Sequence, residues 1–178
     1  MLLPRADSAR FGCDAHTAML RELGNSVDAA RYEIGGEAVE LPVKLKVHDS
    51  LFVPLAKWAM LLAGNYRCLL DNGVRSIKEA VHADIEASRA VYEWVVDLCV
   101  SLGGDRGDMV PFDKYAGAAL ALQSPSSAAR ALSAGVPNIE RVDRLVQSLG
   151  NQKGVRHPSV DETVARVDDW LVRNRLKG

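Results

Sequence analysis

The sequence has few of the features expected of a secreted, membrane-spanning or nucleic-acid-binding protein. Its 178 residues include three cysteines, Cys13, Cys68 and Cys99, which are far apart and form no CxxC pair. Because an odd number of thiols cannot close into a disulfide framework, we expect reduced cysteines and a cytoplasmic protein. No segment reaches the ~18 consecutive apolar residues of a membrane span. The net charge of −1 offers no general attraction to nucleic acid or to anionic membranes.

The motifs of several enzyme classes are absent as well. The sequence has no GxGxxG after a strand, no GxxxxGK[ST], no HExxH and no GxSxG. The glycine-rich stretch GGDRGD at 103–108 follows a predicted helix, and it is typical of a helix end and loop. The four histidines, His16, His48, His82 and His157, lack the spacing of metal ligands. A metal site could therefore be assembled only over long sequence separations.

The first 48 residues differ in pattern from the rest. Residues 14–23 predict a short amphipathic helix that ends at Gly24 and Asn25. Gly35-Gly36 is a turn signal, and apolar residues then alternate from Val39 to Val47, which predicts an extended strand or a hairpin. Pro42 would restrict this strand to a sheet edge. We therefore assign residues 1–48 to an N-terminal extension with a short helix and a short β-hairpin.

Residues 49–178 follow a helical pattern. Asp49 or Ser50 can cap a first helix that ends at Asn72-Gly73. The sequence SIKE at 76–79 is a capping box, and it opens one long helix over 77–102 whose apolar residues recur every three or four positions.

Four shorter helices complete the helical domain. They are predicted over about 111–122, 125–135, 139–149 and 160–176, with caps at Ser124, Asn138 and a second capping box, Ser159 with Glu162. The loop GVRHPSVDE precedes the last of them, since the residue before a proline disfavours helix. The sequence therefore predicts a mainly α fold, a bundle of about six helices.

One helical segment carries polar residues in an apolar setting. LAKWAMLLAGNYRCLLDNG at 55–73 contains Lys57 and Asn65. Eight residues are a little over two turns, so the two side chains lie on nearly the same face, roughly 12 Å apart along the axis. A lysine there can hold or protonate an oxyanion, and an amide can bind a hydroxyl or carboxylate of the same ligand. Alternatively, Lys57 extends from a core helix to solvent and Asn65 lies near the helix end.

Three segments together carry a family resemblance: KWAMLLAGNYRCLLDNG, SPSSAARALSAGVPNIERVDRL and GVRHPSVDET. In this order and spacing, residues 49–178 resemble the C-terminal helical domain of ketopantoate reductases, a 6-phosphogluconate dehydrogenase C-terminal-like domain. Enzymes of that family reduce a 2-keto acid with NADPH. In them, a catalytic lysine is followed by asparagines four and eight residues later, and a serine-pair helix leads into a Glu-containing helix.

The resemblance implies roles for five residues. Lys57 corresponds to the catalytic lysine and Asn65 to the second asparagine. Ser126 or Ser127 corresponds to the serine that binds the carboxylate end of the substrate. Glu140 corresponds to the substrate-binding glutamate, although it lies one position after the place expected for it.

The sequence departs from the family pattern at two positions, and the register of the lysine motif is open. Leu61 stands where the first asparagine is expected, and Ile139 stands where the glutamate is expected. An alternative register aligns Trp58 with the tryptophan of the family. That register places Met60 at the lysine position and leaves no catalytic lysine.

The larger departure is the region before residue 49. Family members have a complete nucleotide-binding domain there, whereas at most 48 residues precede the helical domain here, without the glycine fingerprint. The resemblance therefore implies a substrate-binding and dimerisation domain for a small 2-keto acid, homodimeric and not active alone. It would use NADPH only where a nucleotide-binding domain is supplied elsewhere. The chain would be the C-terminal part of a longer enzyme, or a stand-alone relative that has lost the chemistry.

An alternative function is open at this point. The protein would then be a non-catalytic, all-helical module for protein interaction or dimerisation. Tyr92 and Trp94 flank the apolar stripe of the predicted helix over 77–102, where they could extend an interface.

Overall fold

The computed structural model describes residues 5–41, 43–48 and 55–176. The chain divides into two compact units, residues 1–54 and 55–178. The described residues form eight α-helices and only two-stranded sheets, which confirms the predicted mainly α class with two more helices than expected. None of the helices in these ranges is long and apolar enough to cross a membrane. The proposed cap at Asp49 or Ser50 and the edge-strand role of Pro42 lie outside the described residues.

The N-terminal unit combines one helix with two small sheets. Its elements are β1 (Arg5–Ala9), α1 (Asp14–Ala29), β2 (Arg31–Ile34), β3 (Glu37–Glu40) and β4 (Lys44–His48). β2 and β3 form the expected hairpin, and its turn residues Gly35 and Gly36 have φ of 62° and 88°. Positive φ at both central residues is the requirement of the tight hairpin turn that glycine favours.

Two predictions for this unit are wrong. The first helix does not end at Gly24 and Asn25 but continues to Ala29. A Cβ on Gly24 would lie 3.0 Å from the carbonyl oxygen of Leu45, so this glycine allows α1 to approach β4 closely. The alternation from Val39 to Val47 is shared between two strands, since β3 pairs with β2 whereas β4 pairs in parallel with β1. The crossover β1–α1–β4 was not predicted.

The C-terminal unit contains the remaining helices and one short hairpin. They are α2 (Ala56–Met60), β5 (Leu69–Leu70), β6 (Gly73–Val74), α3 (Ile77–His82), α4 (Ile85–Ser101), α5 (Phe112–Ala119), α6 (Ser127–Ser133), α7 (Val142–Gln152) and α8 (Pro158–Arg175). Helix α4 contributes a large share of the core through its buried residues Val91, Tyr92, Val95, Leu98 and Cys99. A continuous apolar cluster therefore surrounds α4.

The predicted helix up to Asn72-Gly73 is wrong in its second half. Helix α2 ends at Met60 and continues as a π-helical turn over Leu61–Asn65 and a 3₁₀ turn over Tyr66–Cys68. In the π turn, the Tyr66 N–H donates to the Leu61 carbonyl, five residues earlier. Gly73, with φ of 119°, lies in the β5–β6 hairpin and does not terminate a helix.

The predicted helix over 77–102 is in fact two helices. The capping box of Ser76 and Glu79 is confirmed at the start of α3, where the Glu79 N–H donates to the Ser76 hydroxyl at 3.2 Å. The chain then turns, and the Asp84 carboxylate caps α4 by accepting the Ala87 N–H at 2.9 Å. The buried Ser88 hydroxyl donates to the Val81 carbonyl at 2.8 Å, which links the two helices across the turn.

The interface role suggested for Tyr92 is also wrong. Tyr92 is buried, its ring stacks on Tyr115 with centroids 5.4 Å apart, and its hydroxyl donates to the Val110 carbonyl at 2.7 Å. Trp94 is half-buried and packs closely over Gly150, where an added Cβ would lie 2.8 Å from the indole ring.

Three helix starts differ from the prediction. Helix α6 is capped by Ser126 rather than Ser124, and α7 begins at Val142 rather than after Asn138. Helix α8 begins at Pro158, a favourable first helical residue, so Ser159 and Glu162 do not form a cap. The helix ends near Leu122 and at Gly150 are wrong as well, because α5 ends at Ala119 and α7 continues to Gln152.

Candidate functional site

Three of the residues named from the sequence line one cleft of the C-terminal unit. The cleft has a volume of about 250 Å³, and we call it the Asn65 cleft. It lies between the π turn, the start of α6 and the segment before α7. Asn65, Ser127 and Glu140, far apart in the sequence, are therefore brought together. The lining residues are Leu61, Asn65, Tyr66, Ser127, Ala128, Ile139 and Glu140.

The π turn supplies one wall of the cleft. Leu61 and Asn65 are its first and last residues, and both line the cleft. The Tyr115 hydroxyl of α5 donates to the Met60 carbonyl at 3.2 Å, directly before the turn. Gly64 leaves room for this hydroxyl, because an added Cβ would overlap it. π turns are rare and occur frequently at functional sites, which makes this wall a candidate binding element.

Ser126 and Ser127 have different places in the structure. The Ser126 side chain is buried, with 3% of the residue exposed. Its hydroxyl donates to the Asn65 carbonyl at 2.7 Å and accepts the Ala129 N–H at 3.2 Å. It therefore caps α6 and fixes that helix to the π turn, whereas the exposed Ser127 lines the cleft.

This difference predicts unequal effects on stability. In Ser126→Ala, α6 loses its cap and the Asn65 carbonyl loses a buried partner, so we expect the free energy of unfolding to fall by about 2 kcal/mol. The matched variant Ser127→Ala should change it by less than about 0.5 kcal/mol. Urea unfolding of the two variants measures both values. Equal effects would contradict the structural role assigned to Ser126.

Tyr66 and the segment around Glu140 form another part of the cleft wall. The Tyr66 hydroxyl donates to the Glu140 carbonyl at 2.8 Å and accepts the Val142 N–H at 3.2 Å. Burial, together with the negative charge of Asp143, raises the pKa of Tyr66 to about 12, so the phenol stays protonated near neutral pH. These two bonds position Glu140 at the cleft. No hydrogen bond or ion pair joins its carboxylate to another described residue.

The guanidinium of Arg141, the residue after Glu140, pairs with carboxylates other than that of Glu140. Arg141 donates two hydrogen bonds to Asp143, at 2.9 and 2.8 Å, and one to Asp168 at 2.7 Å. Burial disfavours the charged guanidinium, but the ion pairs outweigh burial and raise the pKa of Arg141 above its ordinary value. Asp168 also accepts a hydrogen bond from Arg144. Arg141 therefore links α7 to α8 and does not neutralise Glu140.

Lys57 is not one of the residues that line the cleft. It is exposed on α2, one helical turn before Leu61, whose N–H donates to the Lys57 carbonyl. Trp58 and Met60 are half-buried and pack against the core. The alternative register, which places Met60 at the lysine position, therefore also assigns this position to a residue outside the cleft lining. Leu61 makes the lining apolar where an asparagine was expected.

Tyr66 is a polar residue of the cleft lining that the sequence does not single out. It follows Asn65 in a segment interpreted as a regular helix, in which it carried no special signal. A tyrosine within an apolar run does carry a hydroxyl that needs a partner when buried. In the structure this partner is the backbone at 140 and 142.

The N-terminal unit has a separate concave surface, which we call the α1 groove. Its volume is about 470 Å³, and its lining is mostly apolar: Phe11, His16, Met19, Leu20 and Leu23. Met19 is 63% exposed and Leu23 is 53% exposed, although both are large and apolar. A contiguous exposed apolar patch can mark an interaction site, which makes the α1 groove a candidate interface.

Within the described ranges, no group of three or more His, Cys, Asp and Glu side chains could hold a metal ion. No protein-family model, no curated protein and no solved structure matches this chain.

Proposed function

We propose that residues 55–178 form the substrate-binding domain of a ketopantoate-reductase-like, NADPH-dependent oxidoreductase, and that the Asn65 cleft binds a small 2-keto acid. One observation carries the proposal: Asn65, Ser127 and Glu140, which the family resemblance named, line the same cleft. Its volume of about 250 Å³ lies below the ~300–1,000 Å³ of sites for drug-sized molecules, which suits a small metabolite.

In this proposal the residues of the chain bind and orient the substrate. The Asn65 amide and the Ser127 hydroxyl donate hydrogen bonds to its oxygens, and Leu61 and Ile139 contact its carbon chain. Lys57 is exposed one turn before Leu61 and does not line the cleft, so we assign it no role in this binding step. The cleft must therefore bind the 2-keto acid by itself, before any reduction takes place.

The described residues do not fit NADPH. The β1–α1 connection contains the single Gly12, whereas a dinucleotide-binding turn uses three glycines in G-x-G-x-x-G. We therefore assign the nucleotide to a separate nucleotide-binding domain. The chain by itself is proposed to bind substrate without turnover.

A ligand screen tests the proposal. We expect 2-keto acids to raise the thermal stability of the protein without NADPH, by about 2.7 kcal/mol at 100-fold saturation. Asn65→Ala should weaken this binding at least tenfold, because it removes an amide from the cleft wall. Asn151→Ala, an exposed asparagine on α7, is the matched control and should bind like the unaltered protein. The absence of stabilisation by any 2-keto acid, or equal binding by the two variants, would contradict the proposal.

A second candidate function, a homodimerisation module, is favoured by the α1 groove. Phe11, Met19 and Leu23 are exposed there, and a second copy of the chain would bury them against the same residues. Met19→Glu would place a charge in that interface and should convert a dimer to a monomer. Asn25→Glu adds the same charge to an exposed position of α1 that does not line the groove.

Light scattering after gel filtration measures this prediction. We expect the unaltered protein and Asn25→Glu to be dimers at about 100 μM, a concentration far above the dissociation constant of a micromolar interface. A monomeric unaltered protein, or a dimer that persists in Met19→Glu, would contradict the candidate function.

A further inference from the structure

The charge of the Asn65 cleft restricts the ligand that it can accept. Among its lining residues, Glu140 alone is charged. The side chains of Asn65 and Ser127, like the Glu140 carboxylate, make no hydrogen bond within the described part of the chain. The Tyr66 hydroxyl, by contrast, already uses its donor and one acceptor position on the backbone.

Nearby cations do not balance this carboxylate. Arg141 directs its guanidinium to Asp143 and Asp168, and Arg144 pairs with Asp168. On α8, the Arg175 guanidinium donates to the Pro137 carbonyl at 3.2 Å. Arg141 and Arg144 form ion pairs with aspartates and Arg175 bonds to the main chain, so none of these three cations forms an ion pair with the Glu140 carboxylate.

We propose that the ligand of the Asn65 cleft presents a protonated amine to Glu140. This inference rests on the proposed use of the cleft as a ligand site and names the substrate class. An ammonium group has three donors and no acceptor. Glu140, Ser127 and Asn65 line one cleft and can supply three acceptors: a carboxylate, a hydroxyl and a side-chain carbonyl. Charge-assisted hydrogen bonds of this type are about twice as strong as neutral ones. A 2-keto acid that suits the cleft therefore carries an amine at a distance from its carboxylate.

Ligands with a five-carbon chain and different charges test the inference. The probes are 5-aminopentanoate, n-pentylamine, pentanoate and 2-oxopentanoate, each titrated into the full chain and followed by the amide NMR signals of Asn65 and Ser127. We expect both amines to bind at least tenfold more tightly than pentanoate, a difference of about 1.4 kcal/mol. Glu140→Gln should remove this preference. Glu162→Gln, an exposed glutamate on α8 that does not line the cleft, should retain it.

The outcomes separate this inference from the proposed function. Binding of 2-oxopentanoate that is tighter than binding of either amine overturns the inference and leaves the proposed function intact. Binding of the amines without 2-oxopentanoate supports the inference and contradicts a 2-keto acid as substrate. An amine preference that survives in Glu140→Gln overturns the inference, and so does the failure of all four probes to shift the two signals.

Discussion

Gly64→Ala should lower the free energy of unfolding of the C-terminal unit by about 3 kcal/mol, the upper end of the range for overpacked sites. The added methyl group would overlap the Tyr115 hydroxyl and lie 3.2 Å from a methyl carbon of Val81. Tyr115 cannot move aside easily, because it is buried and stacked on Tyr92. Urea unfolding with linear extrapolation measures the loss.

A double-mutant cycle identifies the cause of this loss. Tyr115→Phe alone removes the hydroxyl and its bond to Met60, at an expected cost of about 1 kcal/mol. In the Tyr115→Phe background, Gly64→Ala should cost much less, since the overlapping atom is absent. Gly117→Ala is the matched control on an open face of α5, where it should stabilise the helix by about 1 kcal/mol. Additive effects of the Gly64 and Tyr115 substitutions would refute steric overlap as the cause.

Arg141→Met should destabilise the protein by about 3–5 kcal/mol, the cost of breaking a buried ion pair from one side. Asp143 is fully buried, at 0% exposure, and two of its hydrogen bonds come from this one guanidinium. Methionine fills a similar volume but leaves that carboxylate without a countercharge. Unfolding in urea near neutral pH gives the value.

Two further variants separate the buried charge from simple loss of contacts. Arg144→Met removes a half-exposed partner of Asp168, so it should cost less than about 1 kcal/mol. Arg141→Met combined with Asp143→Leu should recover most of the lost stability, because an apolar pair can replace a buried ion pair. A double variant that is as unstable as Arg141→Met alone would show that the countercharge is not the main contribution of Arg141.

Local signals predict the parts of this fold that depend on few neighbouring residues. Gly35-Gly36 predicts the hairpin because positive φ is a property of those two positions. Ser76 and Glu79 predict a helix start because the two side chains satisfy each other's backbone donors. The turn before Asp84 escapes prediction, since the apolar repeat continues through it and Ser88 looks like a defect of the stripe rather than a link across it.

The candidate site depends on contacts between segments that are distant in the sequence, and the sequence predicts only some of these contacts. The resemblance named Asn65, Ser127 and Glu140, which line one cleft, but it did not separate Ser127 from Ser126. That distinction follows from the bond between the Ser126 hydroxyl and the Asn65 carbonyl. The sequence does not predict the π turn either. The turn packs against Tyr115 of α5, which lies about fifty positions later in the chain, and a local sequence pattern contains no information on such a distant contact.

The i→i+5 bond between Leu61 and Tyr66 has a consequence for how this region tolerates change in length. A π turn accommodates one residue more than an α turn, so a single-codon deletion within 61–65 would let the helix continue in regular form. Every later side chain of the segment would then rotate by about 100° relative to α2. Substitutions within residues 61–65 can change the side chains that line the cleft. The number of residues in this segment determines whether the π turn, and with it this wall of the cleft, forms at all.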